Sequence, residues 1–154
     1  MRIFSSNVIS VLLYGCSTWK MTEADEHKLD VFVHTFLRTI RKIYCPTHIG
    51  NEEVRRIAGV QKVSQQVRLR RWRYIGHILR KGGDDDQRIA LRWTPPGRRN
   101  RGRLKETWRR TVERERQAIG LTSWDEAAAA AHDRHRWREL IRCPNLHFPR
   151  RNRI

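Results

Sequence analysis

The sequence has little cysteine and no hydrophobic run of membrane length. No stretch approaches the ~20 consecutive apolar residues that cross a bilayer, so we expect no membrane span. The three cysteines, Cys16, Cys45 and Cys143, are an odd number and do not form a disulfide framework, which favours a reducing compartment. The first residues mimic a signal peptide, but the apolar run from Val11 to Tyr14 is too short for one. We therefore expect an intracellular protein that is not secreted.

Acidic residues are also few, with 16 Asp and Glu against 33 Lys and Arg, which gives a formal net charge of +17. Such an excess destabilises the compact state by self-repulsion and favours a polyanionic partner. Arginine far outnumbers lysine, and its guanidinium group suits bidentate contacts with phosphate. Six Trp, three Tyr and four Phe argue against a disordered basic tail. The composition therefore indicates nucleic acid as the leading partner, ahead of an anionic membrane surface.

Recognisable catalytic and cofactor motifs are missing as well. Gly97 and Gly102 lack the GK[ST] ending of a phosphate-binding P-loop, and no Cys or Ser has a recognisable base partner. The one acidic cluster, at residues 84–86, follows two glycines and has no flanking strand pattern, so we interpret it as a solvated loop. We expect this chain to need no cofactor and to catalyse no reaction.

Two short Cys/His pairs leave a zinc site open as an alternative. Their spacing is tolerable for a Cys₂His₂ site, although nearly a hundred residues separate the two halves. The four candidate ligands are Cys45, His48, Cys143 and His147. The competing interpretation, that these are side chains at helix ends without a metal, fits the large separation better.

Hydrophobic spacing predicts a mostly α-helical fold with five or six amphipathic helices. A first helix over residues 1–16 would end at Gly15, with one side formed by Phe4, Val8, Val11 and Leu12. The second follows a capping box, Thr22 to Asp25, and continues to Tyr44 before Pro46. Its most regular apolar stripe consists of Leu29, Phe32, Phe36, Ile40 and Ile43.

The remaining helices follow from similar signals. Asn51 is a candidate cap for a helix that stops at Gly59, and a longer helix is predicted over residues 64–81. Residues 89–94 fit either a helical turn or a marginal short strand pair, and the sequence does not decide between them. A further helix carries Leu104, Trp108, Val112 and Ile119 on one face, and the last runs from a capping box at Ser123 to about Arg142.

Two sets of basic residues are candidate contacts for a nucleic-acid backbone. The first is a basic strip at residues 97–105, a loop after two prolines that contains Arg98, Arg99, Arg101, Arg103 and Lys105. The second is a stripe on the 64–81 helix, opposite its apolar side, formed by Arg70, Arg73, His77 and Lys81. On the apolar side, Arg68 and Arg71 are expected to extend to the surface or to pair. We expect the two basic sets to neutralise and position phosphates rather than read bases.

Five segments together resemble the C-terminal part of reverse transcriptases from non-LTR (LINE-type) retrotransposons. In order they are VLLYGCSTW at 11–19, NEEVRRIAG at 51–59, RRWRYIGHILR at 70–80, RGRLKETWRRTVE at 101–113 and DRHRWRELI at 133–141. Each segment alone is a weak signal, but their order matches that of the family and covers most of residues 1–142. The resemblance implies a thumb-like segment at 1–45 and a post-thumb region at 46–142. The tail at 143–154 has two prolines and little periodicity, which predicts a disordered segment.

The resemblance also implies what this chain does not contain. Polymerisation in that family requires palm carboxylates that hold two Mg²⁺ ions, and no such signature is present here. The chain is therefore expected to be a non-catalytic fragment with a new start at Met1, which binds RNA, DNA or both without sequence preference in the nucleus. A helical protein-interaction module, or a pseudogene product without selected activity, is the alternative.

Overall fold

The computed structural model describes residues 1–94, 96–97, 102 and 106–142. These residues form eight α-helices and no β-strand, which confirms the helical fold class, although the expected count of five or six helices is too low. The helices are α1 (Ser10–Leu12), α2 (Glu23–Ile40), α3 (Asn51–Ala58), α4 (Val63–Leu79), α5 (Asp86–Arg92), α6 (Trp108–Ala118), α7 (Trp124–His132) and α8 (Arg134–Leu140). No described helix is both long enough and apolar enough to cross a membrane.

The chain divides into two compact units, Met1–Arg71 and Trp72–Ile154, and the boundary falls within α4. We call them the first and second units and describe each by itself. This division reflects compactness alone. The thumb-like segment at 1–45, the post-thumb region at 46–142 and the disordered tail at 143–154 stay predictions, and the tail lies outside the described residues.

The N-terminal segment of the first unit is helical but irregular. A π-helical turn at Phe4–Ile9 leads into α1, and Gly15, with a φ of 65°, ends the segment as predicted. The expected face is wrong at Val11, which is 75% exposed, because the wider π turn breaks the 3.6-residue spacing on which the face was assigned. The buried side chains are instead Phe4, Ile9 and Leu13.

Helix α2 begins at the predicted capping box. The Thr22 hydroxyl accepts the Asp25 N–H at 3.2 Å, and the Asp25 carboxylate accepts the Thr22 N–H at 3.1 Å. The hydrogen bonds from the Thr22 hydroxyl and backbone lower the pKa of Asp25. The helix ends at Ile40, earlier than predicted, because the carbonyl of Arg38 accepts the N–H of Ile43 in a Schellman turn with Lys42 at a φ of 55°.

The face that α2 buries is not the one with the most regular apolar spacing. Val33 and Leu37 are 2% and 0% exposed, whereas the predicted stripe leaves Phe32, Phe36 and Ile40 at 39%, 43% and 44% exposure. The helix carries two apolar stripes on adjoining faces, and periodicity alone does not say which one meets the core. The exposed Phe32 and Phe36 rings pack on each other with centroids 4.7 Å apart.

Helix α3 and the first half of α4 complete the first unit. Gly50, not Asn51, is the cap of α3, and Asn51 is instead the first helical residue, whose Oδ1 accepts Arg38 Nη2 at 2.9 Å. Gly59 ends α3 as predicted, with a φ of 65°. The core of this unit includes Val33, Leu37, Val54, Val63 and Val67.

Two arginines on the buried side of α4 pair as expected. Arg68 Nη2 lies 2.7 Å and 2.9 Å from the carboxylate oxygens of Glu26 on α2, and both residues are buried. Arg71 is fully buried and donates from Nη2 to the carbonyl oxygen of Trp19 at 2.7 Å. These contacts let the interior of the first unit hold charged groups that would otherwise be costly to bury.

Tryptophans organise the core of the second unit. Trp72 is fully buried and donates from Nε1 to Glu115 on α6 at 2.9 Å. Its ring stacks on Trp124 of α7, with centroids 6.5 Å apart, and meets Trp137 of α8 at 5.9 Å. Trp137 Nε1 donates in turn to the Trp72 carbonyl at 3.2 Å. Four helices thus meet around one residue, and the predicted inward positions Ile75, Ile78 and Leu79 are buried as well.

Three predictions for the second unit need correction. Residues 86–92 form helix α5, capped by Asp85, so the strand-pair alternative near 89–94 does not hold there. The acidic residues 84–86 accordingly lead into a helix rather than forming a free loop. The helix predicted from Ser123 to about Arg142 is two helices, because Asp133 leaves the helical conformation and caps α8 through the N–H groups of His135 and Arg136.

Candidate nucleic-acid interface

The predicted basic strip lies mostly outside the described residues, which include only its two glycines. Arg98, Arg99, Arg101, Arg103 and Lys105 therefore have no structural description. Gly97 and Gly102 have φ values of 106° and 85°, a region that favours glycine, and this agrees with the bend predicted at Gly97. The local backbone at both positions is therefore one that a non-glycine residue would adopt with strain.

The two ends of the strip segment are tied together by one arginine. Arg109, in the first turn of α6, donates from Nη1 to the Thr94 hydroxyl at 2.6 Å and from Nη2 to the Ala90 carbonyl at 3.4 Å, and it also bonds the Trp93 carbonyl. Thr107 caps α6 through the Arg110 N–H. The start of α6 is consequently joined to the end of α5 and to Thr94.

Arg109 also lines a groove. It has a volume of about 640 Å³ and is lined by Leu91, Arg92, Arg109, Arg110, Glu113, Arg116, Ser123, Trp124 and Asp125. Its two carboxylates are engaged, Asp125 with Arg92 at 2.8 Å and Glu113 with Arg116, and the latter pair lowers the pKa of Glu113. The Arg116 guanidinium also lies 5.8 Å from the centroid of the Trp124 ring. The groove is thus cationic, and its lining includes Arg109, which contacts Thr94.

The predicted stripe on α4 is only partly available to a ligand. Arg70, in the first unit, is half-buried and donates to the Leu13 carbonyl at 3.3 Å. Lys81 pairs with Asp85 at 3.0 Å, which lowers the pKa of that carboxyl. Arg73 and His77 are exposed, as expected of a ligand-facing stripe. Two of the four predicted positions therefore have structural partners, and two face the solvent.

Most carboxylates of the second unit have partners within it. Asp85, Asp133 and Glu126 accept backbone N–H groups at helix starts, the last from Thr122. Glu115 accepts the indole N–H of Trp72 and Glu106 pairs with Arg114. Glu113 and Asp125 hold arginines of the groove, and His135 lies 3.7 Å from Glu139. These acids stabilise helices and the core, and few remain to offset the exposed arginines.

Sequence analysis did not select the arginines of α8 as site residues. Arg134 and Arg138 are exposed one helical turn apart, and neither lies within 4.0 Å of a carboxylate in the described part of the chain. Arg80, just after α4, donates from Nη1 to the carbonyl of Ala131 at 3.0 Å, which places it at the junction of α7 and α8. The four-residue spacing within DRHRWRELI was the signal that could have indicated this face.

The zinc alternative gains no support from the described residues. Among them, no group of three or more potential metal ligands is present. Cys45 and His48 are exposed and line a groove of about 420 Å³ in the first unit, together with Arg38 and Tyr44. Cys143 and His147 lie outside the described residues, so the predicted four-ligand set stays a prediction.

Comparison with protein-family models, with curated proteins and with solved structures finds no match to this chain.

Proposed function

We propose that this chain binds RNA or DNA through the sugar–phosphate backbone, without sequence preference. The observation that supports the proposal is that, in the described part of the second unit, most acidic side chains have structural partners while several arginines are exposed without one. Its carboxylates are mostly engaged in helix caps and internal pairs, whereas Arg73, Arg134 and Arg138 are exposed and have no carboxylate within 4.0 Å among the described residues. A surface of this kind repels itself in isolation and is stabilised by a polyanion.

The chemistry of these side chains supports backbone contacts over base readout. Guanidinium groups donate paired, charge-assisted hydrogen bonds to phosphate oxygens, and such contacts position a protein without conveying sequence. The groove lined by Arg109 and Arg110 and the strip of residues 97–105 supply further cationic groups. The resemblance to non-LTR reverse transcriptases adds that the chain is the non-catalytic C-terminal part of such an enzyme, with a nuclear location.

The proposed relation to reverse transcriptases implies that this chain alone does not catalyse polymerisation. A primer-extension assay with Mg²⁺ or Mn²⁺ should give no product above background, because the sequence lacks the carboxylate signature that holds the metal ions. Nucleotide incorporation that persists through purification would contradict this part of the proposal.

A second candidate function has one observation in its favour. The exposed stripe Phe32, Phe36 and Ile40 of α2 is apolar, which is typical of a helical protein-interaction module. The two functions differ in their response to salt, since apolar docking does not weaken as salt rises and phosphate binding does.

The test of backbone binding is a direct titration of labelled nucleic acid with the purified full chain. Two RNAs of unrelated sequence and one DNA duplex should bind with similar affinities and with a steep loss of affinity as salt rises. The control is a folded basic protein of similar net charge, which should bind more weakly. If affinity for nucleic acid does not exceed that of this control, the proposed function is wrong.

A further inference from the structure

Three arginines of the second unit come together where α7 gives way to α8. Arg80 is half-buried and its guanidinium is held at the end of α7 by the Ala131 carbonyl, at 3.0 Å. Arg134 is the first residue of α8, three positions after Ala131, and Arg138 follows one turn later on the same face. One fixed guanidinium is thus accompanied by two exposed ones.

The electrostatics of this cluster are unfavourable without a ligand. Burial and then the nearby charges of Arg134 and Arg138 lower the pKa of Arg80, and no carboxylate contributes to the balance. Like charges one turn apart on a helix destabilise it. The two acids next to these arginines in the sequence have other partners: Asp133 accepts the N–H groups of His135 and Arg136 as the helix cap, and Glu139 lies 3.7 Å from His135. The repulsion is therefore left uncompensated by the described side chains.

We propose that Arg80, Arg134 and Arg138 form a clamp for adjacent phosphates of one nucleic-acid strand. Arg134 and Arg138 are separated by about 6 Å along the helix axis, since each residue rises about 1.5 Å. Neighbouring phosphates of one strand rise about 3.4 Å along the duplex axis and lie further apart than that along the winding backbone, so the arginine spacing suits adjacent phosphates. Arg80 is the fixed donor, because its Nη1 is held by the Ala131 carbonyl and a guanidinium carries further N–H groups that this bond does not use.

The clamp rests on the proposed backbone binding and adds a located contact outside the strip of residues 97–105. Phosphate also occurs in lipid headgroups, but a membrane presents its charges in a plane. The side chains here protrude from one turn of a short helix beside a fixed arginine. That arrangement fits a strand, whose successive phosphates can follow the helix face.

The test uses the full chain with the double substitution Arg134→Gln and Arg138→Gln. Both side chains are exposed, so the fold should be retained, and at low salt the melting temperature should be equal or higher because repulsion is removed. The matched control is Lys20→Gln with Lys28→Gln, which removes two exposed positive charges from the first unit. Net charge is then equal in the two variants, so only the position of the lost charge differs.

The expected result is weaker binding with a reduced salt dependence in the arginine variant alone. With two phosphate contacts gone, the log–log slope of affinity against salt should flatten by about 1.4 on single-stranded RNA and about 1.8 on duplex DNA. If lost counterion release is the whole effect, affinity for single-stranded RNA falls about 25-fold at 0.1 M salt. The lysine variant should stay close to the wild type.

Two results would overturn the clamp. One is that both double substitutions change affinity and its salt slope by the same small amount, while the wild type still binds nucleic acid. That result removes the clamp and leaves the proposed function intact. The other comes from a parallel titration with vesicles of anionic lipid. If the arginine variant loses affinity for the vesicles alone, with binding to RNA and duplex DNA unchanged, the cluster belongs to a membrane surface. Failure of the wild type to exceed the basic control protein would instead remove the proposed function itself.

Discussion

The indole of Trp137 lies directly against the α-carbon of Gly76, in the space that any larger side chain at position 76 would need. A β-carbon built there would overlap with Nε1 of the indole and come within 2.7 Å of its Cε2. The contact lets α8 approach α4 closely enough for Trp137 to donate to the carbonyl of Trp72. Gly76 is therefore required by packing rather than by backbone conformation.

We predict that Gly76→Ala destabilises the second unit. Overpacking of a tight core contact costs about 1–3 kcal/mol, and the gain in helix propensity, about 1 kcal/mol, offsets part of it. Chemical denaturation followed by tryptophan fluorescence measures the change. Gly83→Ala is the matched control, since a β-carbon there meets nothing within 4 Å. A Gly76→Ala protein as stable as the control would show that Trp137 does not pack as described.

The hydrogen bond from Trp72 Nε1 to Glu115 is predicted to stabilise the same core. Glu115→Leu removes the acceptor of a fully buried indole N–H, and an unsatisfied buried donor costs about 1–3 kcal/mol. Glu115→Gln keeps an acceptor oxygen and should cost less. Urea denaturation of the two variants provides the comparison. Equal stability of the Leu and Gln variants would contradict a structural role for this bond.

The buried pair of Arg68 and Glu26 gives a prediction for the first unit. Glu26→Ala removes the carboxylate whose two oxygens both accept Arg68 Nη2. Breaking a buried ion pair in this way costs about 3–5 kcal/mol of folding stability. Hydrogen exchange of amides in α2 and α4 locates the loss. The control, Glu53→Ala, breaks an exposed pair with Arg56, and exposed pairs contribute little. If the two variants are equally stable, the interior pair does not hold these helices together.

Lys42 adopts the left-handed conformation in which glycine is usual at the end of a helix. Its φ is 55°, and the left-handed region costs a residue with a β-carbon about 1–2 kcal/mol. Lys42→Gly should therefore stabilise the first unit by up to about 1 kcal/mol, because the greater freedom of glycine in the unfolded chain offsets part of the gain. A thermal melt shows the sign, and a lower melting temperature would contradict this turn geometry.

His34 makes the stability of the first unit depend on pH. Burial and then the charge of Arg55, whose Nη1 lies 2.8 Å from Nε2, lower its pKa; Arg38 and Lys62 act in the same direction, and Asp30 opposes them. As pH falls below about 6.5, the unfolded chain binds a proton that the folded chain does not. Stability should be full above this pH and decline below it, until the folded-state pKa is passed.

The measurement for His34 is the free energy of unfolding between pH 5 and 8, compared with His34→Gln. The variant should show a smaller decline on acidification, because its side chain does not titrate. The carboxyls with lowered pKa values, such as Asp25, titrate below this range and do not disturb the comparison. Identical pH profiles would mean that His34 is not held neutral in the fold.

Local signals in the sequence predicted local structure well. The capping box at Thr22, the helix ends at Gly15 and Gly59 and the inward side of α4 depend on neighbouring residues, and all are present. The prediction of which face of α2 is buried was wrong, because the choice between its two apolar stripes depends on packing with residues that are distant in the sequence. Contacts such as Gly76 with Trp137 join residues about sixty positions apart, which periodicity does not reveal.

The candidate site was predicted only in part, for the same reason. The exposed positions Arg73 and His77 follow from helix periodicity, whereas the partner of Arg70, the Leu13 carbonyl, lies 57 residues earlier in the chain. The pair of Lys81 with Asp85 is local, at a spacing of four residues. The four-residue spacing of Arg134 and Arg138 is visible in the sequence. The approach of Arg80 to them is not, since it depends on the packing of α4 against the junction of α7 and α8.

The measurement that tests backbone binding most directly is affinity against salt after replacement of the strip by glutamine. If Arg98, Arg99, Arg101, Arg103 and Lys105 each meet a phosphate, their replacement should flatten the log–log slope by about 3.5 on single-stranded RNA and about 4.5 on duplex DNA. The loss should be equal on two unrelated RNAs, with the circular dichroism spectrum of the helices unchanged. A slope that stays as steep as that of the wild type, or a loss confined to one sequence, would contradict binding through the phosphate backbone.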